Sequence, residues 1–323
     1  MLVFWILFNL FALGLLALDL LVFHRRGVMR SREAVAWSAL WIALAAAFAA
    51  LMFFWQGRQV ALEFVTGYVL ELSLSVDNLF LFLVIFRYFA VPDQHQHSVL
   101  FWGILGAMLT RGVFILAGVG LIQRFHWILY LLGTVLIISG IRFAFAGAHQ
   151  VDPANNFAVR LLRRCIPVTD DYQEGKFFVR DRKRSQSQGI QQSQESHRSP
   201  ESRSLLLCAT PLLVVLAVIE TTDLLLAVDS IPAVLAVTLN AFIAYTSNVF
   251  AILGLRSMYF AVSGLMRNFR FLHTGLAIVL ILIGLKMIVA DYFAVSTLAM
   301  LAGVALVIGV SIAASIALPA TPG

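Results

Sequence analysis

The stretch IETTDLLLAVDSIP, residues 219–232, places three carboxylates inside a long apolar tract: Glu220, Asp223 and Asp229. A charged side chain at the centre of a bilayer costs about 3 kcal/mol on insertion scales, so such residues mark a functional site or an internal ion pair. The stretch also ends on a proline, Pro232. It therefore predicts a membrane-spanning helix with a polar role.

The composition extends this prediction to the whole chain. Of its 323 residues, 61% are hydrophobic and 12% are charged, against about 25% charged in a typical soluble domain. A bilayer is spanned by about 20 apolar residues in a helix, and continuous apolar runs exclude the alternation of barrel strands. We predict an all-α, polytopic membrane protein of about nine transmembrane helices. The predicted spans are 1–23, 33–55, 62–88, 97–122, 126–146, 205–229, 234–262, 270–290 and 293–317.

Basic residues between these spans predict the orientation. Four arginines follow the first span, ten Lys or Arg lie between residues 147 and 204, and two arginines follow the seventh span. Cytoplasmic loops are rich in Lys and Arg. We therefore expect a multi-pass protein of the inner (plasma) membrane with its N-terminus outside and its linker and C-terminus in the cytoplasm. The basic residues serve topology, and no nucleic-acid partner is expected.

Two parts of the chain resemble each other. LSLSVDNLF at 72–80 aligns with LLLAVDSIP at 224–232, and further polar landmarks recur in the same order. The aligned pairs are Glu71 and Asp223, Asp77 and Asp229, Asn78 and Ser230, Arg111 and Arg256, and Arg142 and Lys286. Each unit has three spans, an odd number, so the second copy runs opposite to the first. This predicts a 3+3 inverted-topology repeat, the architecture of many secondary transporters.

The repeat divides the chain into five parts. We predict two N-terminal transmembrane helices at 1–61, a first three-helix repeat at 62–146, a cytoplasmic loop at 147–204, a second repeat at 205–290 and a C-terminal transmembrane helix at 291–323. The Ser/Gln-rich end of the loop, residues 180–204, has too little apolar surface to fold, so it is expected to be a disordered linker.

The acids deep in the membrane all fall on the two helices that carry the repeat's signature. The predicted ligand set is Glu71, Asp77, Asn78, Glu220, Asp223, Asp229 and Ser230. Oxygen ligands without cysteine or histidine favour Mn²⁺, Ca²⁺ or Mg²⁺ over Zn²⁺ or Cu⁺. We expect a transported divalent cation, with Mn²⁺ favoured over Ca²⁺, and no resident cofactor.

Two other roles for the acids stay open. They could form a proton relay, or they could be neutralised within the protein by the charge partners Arg111, Arg142, Arg256 and Lys286. In the second case Asp77 would balance Arg111, and Asp229 would balance Arg256. Five acids against four bases leave excess negative charge, which favours a cation.

Helix geometry sets a further expectation. Asp229 lies about 120° round a regular helix from Asp223, and Asp77 likewise from Glu71. Their convergence on one site requires local unwinding, which Pro232 would favour because proline frees a backbone carbonyl. The His-x-His in DQHQH, 93–97, is expected to lie in a solvated turn.

Longer motifs resemble a known family. ELSLSVDNLFLF, IETTDLLLAVDSIPA and TSNVFAILGLRSMYF, with the YFAVP and KFFVR stretches, are similar to the TerC family, in its Alx-like branch within the LysE-like transporter superfamily. The resemblance covers nearly the whole chain outside 183–204. It implies Mn²⁺ export or a related role in metal homeostasis, with links to alkaline pH and tellurite resistance.

These observations predict a secondary transporter rather than an enzyme. No nucleotide-binding P-loop is present in the sequence, so export needs an ion gradient, and proton antiport through the midplane carboxylates is the natural hypothesis. The expected partners are the metal ion, protons and the lipid bilayer. The alternative is a non-transporting membrane scaffold of a complex for metal, tellurite or alkaline stress resistance.

Overall fold

The computed structural model describes residues 2–24, 31–146, 206–262, 271–293 and 295–317, with residues 160, 164, 167–169, 172 and 175–181 of the central loop. Within this part of the chain the structure is almost entirely helical. The helices are α1 (Leu2–His24), α2 (Ser31–Gln56), α3 (Arg58–Tyr88), α4 (Asp93–Arg124), α5 (Ile128–Ala146), α6 (Pro211–Leu235), α7 (Ala241–Val262), α8 (Leu272–Val289) and α9 (Thr297–Ala317). The predicted fold class, an all-α polytopic membrane protein, is confirmed.

Six helices in the described residues are long and apolar enough to cross a membrane: α2, α4, α5, α6, α7 and α9. Shorter apolar helical stretches lie at Val3–Leu18 and Thr274–Val289. The remaining helix, α3, has 31 residues. The exact number of spans stays a prediction.

A two-stranded antiparallel sheet was not expected from the sequence. Strand β1 (Phe178–Asp181) pairs with β2 (Leu206–Ala209), which lies directly before α6. The predicted sixth span therefore begins too early, at 205 instead of Pro211. A proline suits the first position of a helix because its missing N–H is unbonded there in any helix. The predicted disordered linker, 180–204, is wrong for its first two residues, because Arg180 and Asp181 belong to β1 and pair with β2. Its remaining residues, 182–204, lie outside the described residues.

The signature helices are continuous, so the predicted unwinding is wrong. Helix α3 runs through Asp77 without a break, and α6 contains Pro232 within its last turn and ends at Leu235. Pro232 cannot donate the helical hydrogen bond to the Val228 carbonyl, but the helix continues beyond it: the Ala236 N–H donates to the Pro232 carbonyl.

The helices of the two predicted repeats pack in a reciprocal way. Helix α3 lies against α7, and its counterpart arrangement places α4 against α6. Helices α5 and α8 pack closely at glycines. A Cβ added at Gly284 would lie only 2.6 Å from the Gly133 carbonyl oxygen, and one added at Gly140 only 2.8 Å from the Ala277 carbonyl oxygen. The repeat aligns Gly140 with Gly284 and Gly133 with Ala277. A two-fold axis between α5 and α8 would produce this pattern, although the repeat itself stays a prediction.

The other helices cover this bundle. Phenylalanines join α1 and α2 to it, with the ring of Phe250 on α7 5.8 Å from Phe8 and 5.0 Å from Phe48. Helix α9 packs on α3 and α8. The centre of the bundle, between α3, α4, α6 and α7, is thereby enclosed by apolar side chains and can hold charged groups away from lipid.

Candidate functional site

The centre of the bundle contains a buried arginine. Arg111 lies near the middle of α4, and its side chain is 1% exposed. An unpaired guanidinium in such a place would be strongly disfavoured, because burial removes its hydration. Its partners therefore decide whether the site can exist.

Two acids from two other helices meet this guanidinium. Its Nε and Nη2 donate to the two carboxylate oxygens of Asp223 on α6, at 3.3 and 2.9 Å. Its Nη1 donates to Oε1 of Glu71 on α3 and to the Ser230 hydroxyl at 3.3 Å. The fork of a guanidinium suits such simultaneous contacts. The repeat-related acids Glu71 and Asp223 are thus joined through one arginine.

The charges of this cluster do not balance. One guanidinium faces two carboxylates, so the cluster has a net charge of −1 when both acids are ionised. Glu71 is fully buried, and its second oxygen, Oε2, has no hydrogen-bond partner among the described residues. A buried carboxylate oxygen without a hydrogen bond is stabilised when it binds a proton or a cation.

The neutral residues of the predicted ligand set also reach this cluster. The Asn78 side chain is 3% exposed and donates to Asp223 at 3.5 Å. Ser230 is buried to the same extent and contacts Arg111 as described above. Four predicted ligands, from α3 and α6, therefore lie around Arg111.

The other predicted ligands lie elsewhere or are not described. Glu220 packs its carboxylate against Gly106 of α4, where any added Cβ would overlap it. Asp229 is half-buried and accepts a hydrogen bond from the Ser139 hydroxyl of α5 at 2.6 Å. Asp77 belongs to α3, but its side chain is outside the described residues. Asp223 and Asp229 face different helices because α6 stays regular.

The predicted charge partners divide in the same way. Arg111 pairs with Glu71 and Asp223, and the predicted partner Asp77 lies outside the described side chains. Arg256 is buried and contacts the Nδ1 atom of His97 at 3.2 Å. Lys286 donates to the Ala236 carbonyl at 2.8 Å, and Arg142 is exposed.

The expectation of a solvated turn at 93–97 is wrong for part of that stretch. Residues 93–97 form the first turn of α4. Gln96 is buried and accepts a hydrogen bond from Tyr259 of α7 at 3.0 Å, and His97 lies beside Arg256. These contacts hold the start of α4 against α7, so residues 96 and 97 have a structural role.

Two other features lie apart from the cluster. A cavity of about 280 Å³ between α4, α5 and α6 is lined by apolar side chains such as Phe114, Leu132 and Ile231, so it offers no ligand to an ion. Asp291 lies in the turn after α8, where hydrogen bonds from Tyr130 and His126 lower the pKa of its carboxyl group.

Within the described residues, no group of three or more His, Cys, Asp or Glu side chains is close enough to hold a metal ion. The cluster has two acids, and among the described side chains its further ligands would be neutral oxygens. Sequence reasoning missed the neutral groups Ser75 and Asn248, both 1% exposed. The sequence did contain a signal for both residues, because each lies within a motif that resembles the TerC family: ELSLSVDNLFLF and TSNVFAILGLRSMYF.

The fold and the cluster define a polytopic helical membrane protein with ionised groups enclosed at mid-bundle. The chain belongs to the TerC family, since the model described as "Integral membrane protein TerC family" matches residues 56–321.

Curated relatives agree with this assignment. The chain is 42% identical over 313 residues to an uncharacterized membrane protein of Myxococcus xanthus, covering 97% of this chain and 91% of that protein. It is 41% identical over 290 residues to Alx of Escherichia coli strain K12, covering 86% of this chain and 83% of that protein. The name of that relative proposes a membrane-bound redox modulator. No solved structure matches the chain.

Proposed function

We propose that the protein is a secondary transporter that exports a divalent cation, with Mn²⁺ as the favoured cargo, in exchange for protons. The observation that carries this proposal is the unbalanced cluster of Arg111 with Glu71 and Asp223. A purely structural ion pair needs one acid for one base, and the second acid would only add cost. A site that binds and releases a cation needs the excess charge.

The chemistry of the cluster suggests how protons are exchanged for the cation. When no cargo is bound, a proton on Glu71 removes the excess charge, and Arg111 remains paired with Asp223. Loss of that proton leaves an anionic oxygen inside the bundle, which attracts a cation. Because a proton and a cation compete for one carboxylate, the movement of one is coupled to the movement of the other.

The cargo follows from the ligand atoms. The cluster and its neighbours offer carboxylate, hydroxyl and amide oxygens, which suit Mn²⁺ and Ca²⁺. The resemblance to the family favours Mn²⁺. Export further requires the orientation that the basic loops predict, in an inner membrane with the N-terminus outside and the C-terminus in the cytoplasm.

The alternative proposal is a non-transporting scaffold of a stress-resistance complex. It is favoured by the fact that Arg111 joins three helices, as a structural ion pair would. The redox role that the name of the Alx relatives states is a further candidate function without transport. Among the described residues it would depend on Cys208, a single buried thiol.

Transport by the purified protein distinguishes these proposals. In proteoliposomes with an imposed pH gradient, we expect the wild-type protein to move Mn²⁺ and excess Ca²⁺ to compete with it. Glu71→Gln should abolish transport, because glutamine keeps an acceptor for Arg111 but removes the excess charge. Asp291→Asn, in an exposed turn, is the matched control and should transport normally. A folded wild-type protein that moves no Mn²⁺ would favour the scaffold.

A further inference from the structure

Asn248 is a buried amide whose hydrogen-bonding capacity is unused. It lies in α7 with 1% of its surface exposed, and neither its Oδ1 nor its Nδ2 has a partner among the described residues. A buried polar group without a partner costs about 1–3 kcal/mol. A side chain kept at such a cost needs an explanation.

Neighbouring contacts on α7 fix the direction in which Asn248 points. Tyr245 lies against Gly112 of α4, since a Cβ added there would be 3.1 Å from its ring, and Ser247 lies against Gly67 of α3. At 100° per residue, Asn248 falls between these two directions and opposite Phe250. It therefore faces the seam between α3 and α4 and is turned away from α1 and α2.

The charged cluster lies along the same seam. Glu71 follows Gly67 by one turn on the same face of α3, and Arg111 directly precedes Gly112 on α4. Ser75 lies one further turn along that face of α3, and its hydroxyl also has no partner among the described residues. Three unpartnered oxygens, from Glu71, Ser75 and Asn248, thus face one region.

We propose that Asn248 is a ligand of the transported cation and binds it through Oδ1, together with Glu71 Oε2 and Ser75 Oγ. This inference rests on the proposed function and deepens it, because it assigns a neutral half to the site on α7. Arg111 stays with Asp223, so the cation binds without displacing the arginine from both acids. Water can complete the six to eight oxygens that cations such as Ca²⁺ prefer.

The neutral ligands also explain a choice of cargo. One carboxylate with amide and hydroxyl oxygens forms a hard, weakly charged site, which binds a divalent cation without holding it too tightly for release. Soft ions such as Cu⁺ prefer sulfur and find none in this set.

Binding of Mn²⁺ alone tests the assignment, measured by the loss of the free-Mn²⁺ electron paramagnetic resonance signal with the whole protein in nanodiscs. Asn248→Leu replaces the amide with an apolar side chain of similar size. We expect about tenfold weaker binding, the loss typical of removing a supporting group from a metal site. Its melting temperature should be unchanged or higher, because an unpaired polar group is removed. Asn248→Asp keeps the oxygen and should bind at least as tightly as wild type at pH 8.

The matched control is Thr246→Val, an equally buried neighbour whose hydroxyl donates to the Ile243 carbonyl at 3.2 Å. It should bind Mn²⁺ like wild type. Wild-type affinity in Asn248→Leu would overturn the inference and leave the transporter proposal standing. A lower melting temperature in Asn248→Leu, with binding lost equally in Asn248→Asp, would also overturn it by indicating a structural role. A wild-type protein that binds no Mn²⁺ would overturn both proposals.

Discussion

Arg111→Gln is expected to lower the abundance and melting temperature of the protein more than any other single charge neutralisation. The substitution leaves Glu71 and Asp223 buried without the guanidinium that contacts both. Breaking a buried pair from one side costs about 3–5 kcal/mol, because the remaining charge has no compensation. Thermal unfolding of the purified protein and its level in membranes measure the effect.

Two further variants make this prediction specific. The triple variant Arg111→Gln, Glu71→Gln, Asp223→Asn contains no unpaired charge in the cluster, so it should recover much of the lost stability but remain inactive. Arg124→Gln, at the exposed end of the same helix, should behave like wild type. If Arg111→Gln is as stable as wild type, the two acids are not held as ions by this arginine.

Asp77→Asn and Asp229→Asn are each expected to abolish metal resistance while membrane levels stay near normal. Asparagine preserves the shape and one acceptor oxygen, so the Ser139 hydroxyl can still donate to residue 229. The charge that attracts a cation is lost. Growth at high Mn²⁺ and immunoblots of membranes measure both quantities.

The double variants decide whether the two aspartates attract the cation or only balance arginines within the protein. If the aspartates only balance arginines, Asp77→Asn with Arg111→Gln and Asp229→Asn with Arg256→Gln should recover abundance and resistance. We expect no such recovery, because neutralising an arginine does not restore the negative charge that attracts the cation. Recovery in both pairs would refute a role of Asp77 and Asp229 in attracting the cation.

Hydrophobic runs predicted the helices well, because length and apolar character alone determine what a bilayer accepts. The same reasoning placed the whole of β2 inside the sixth span. That error arose because Leu206–Ala209 pairs with Phe178–Asp181, a distant strand, and single-segment patterns carry no information on such pairing. Pro211 was the local signal for the helix start.

The candidate site was predicted in composition but not in arrangement. The sequence identified Arg111, Glu71 and Asp223 as buried charges, since each is costly in an apolar segment. It could not show which acid meets the arginine, because that depends on how three helices pack. Asn248 was missed for a related reason: a single amide is unremarkable until its burial and lack of partners are known.

The exchange of protons for Mn²⁺ through Glu71 is most directly tested by proton flux in proteoliposomes that contain a pH-sensitive dye, with the membrane voltage clamped. With wild-type protein, an inward Mn²⁺ gradient should drive protons out and make the lumen more alkaline, and Glu71→Gln should show neither Mn²⁺ uptake nor a pH change. Mn²⁺ uptake without proton movement, or uptake by Glu71→Gln at the wild-type rate, would contradict the account.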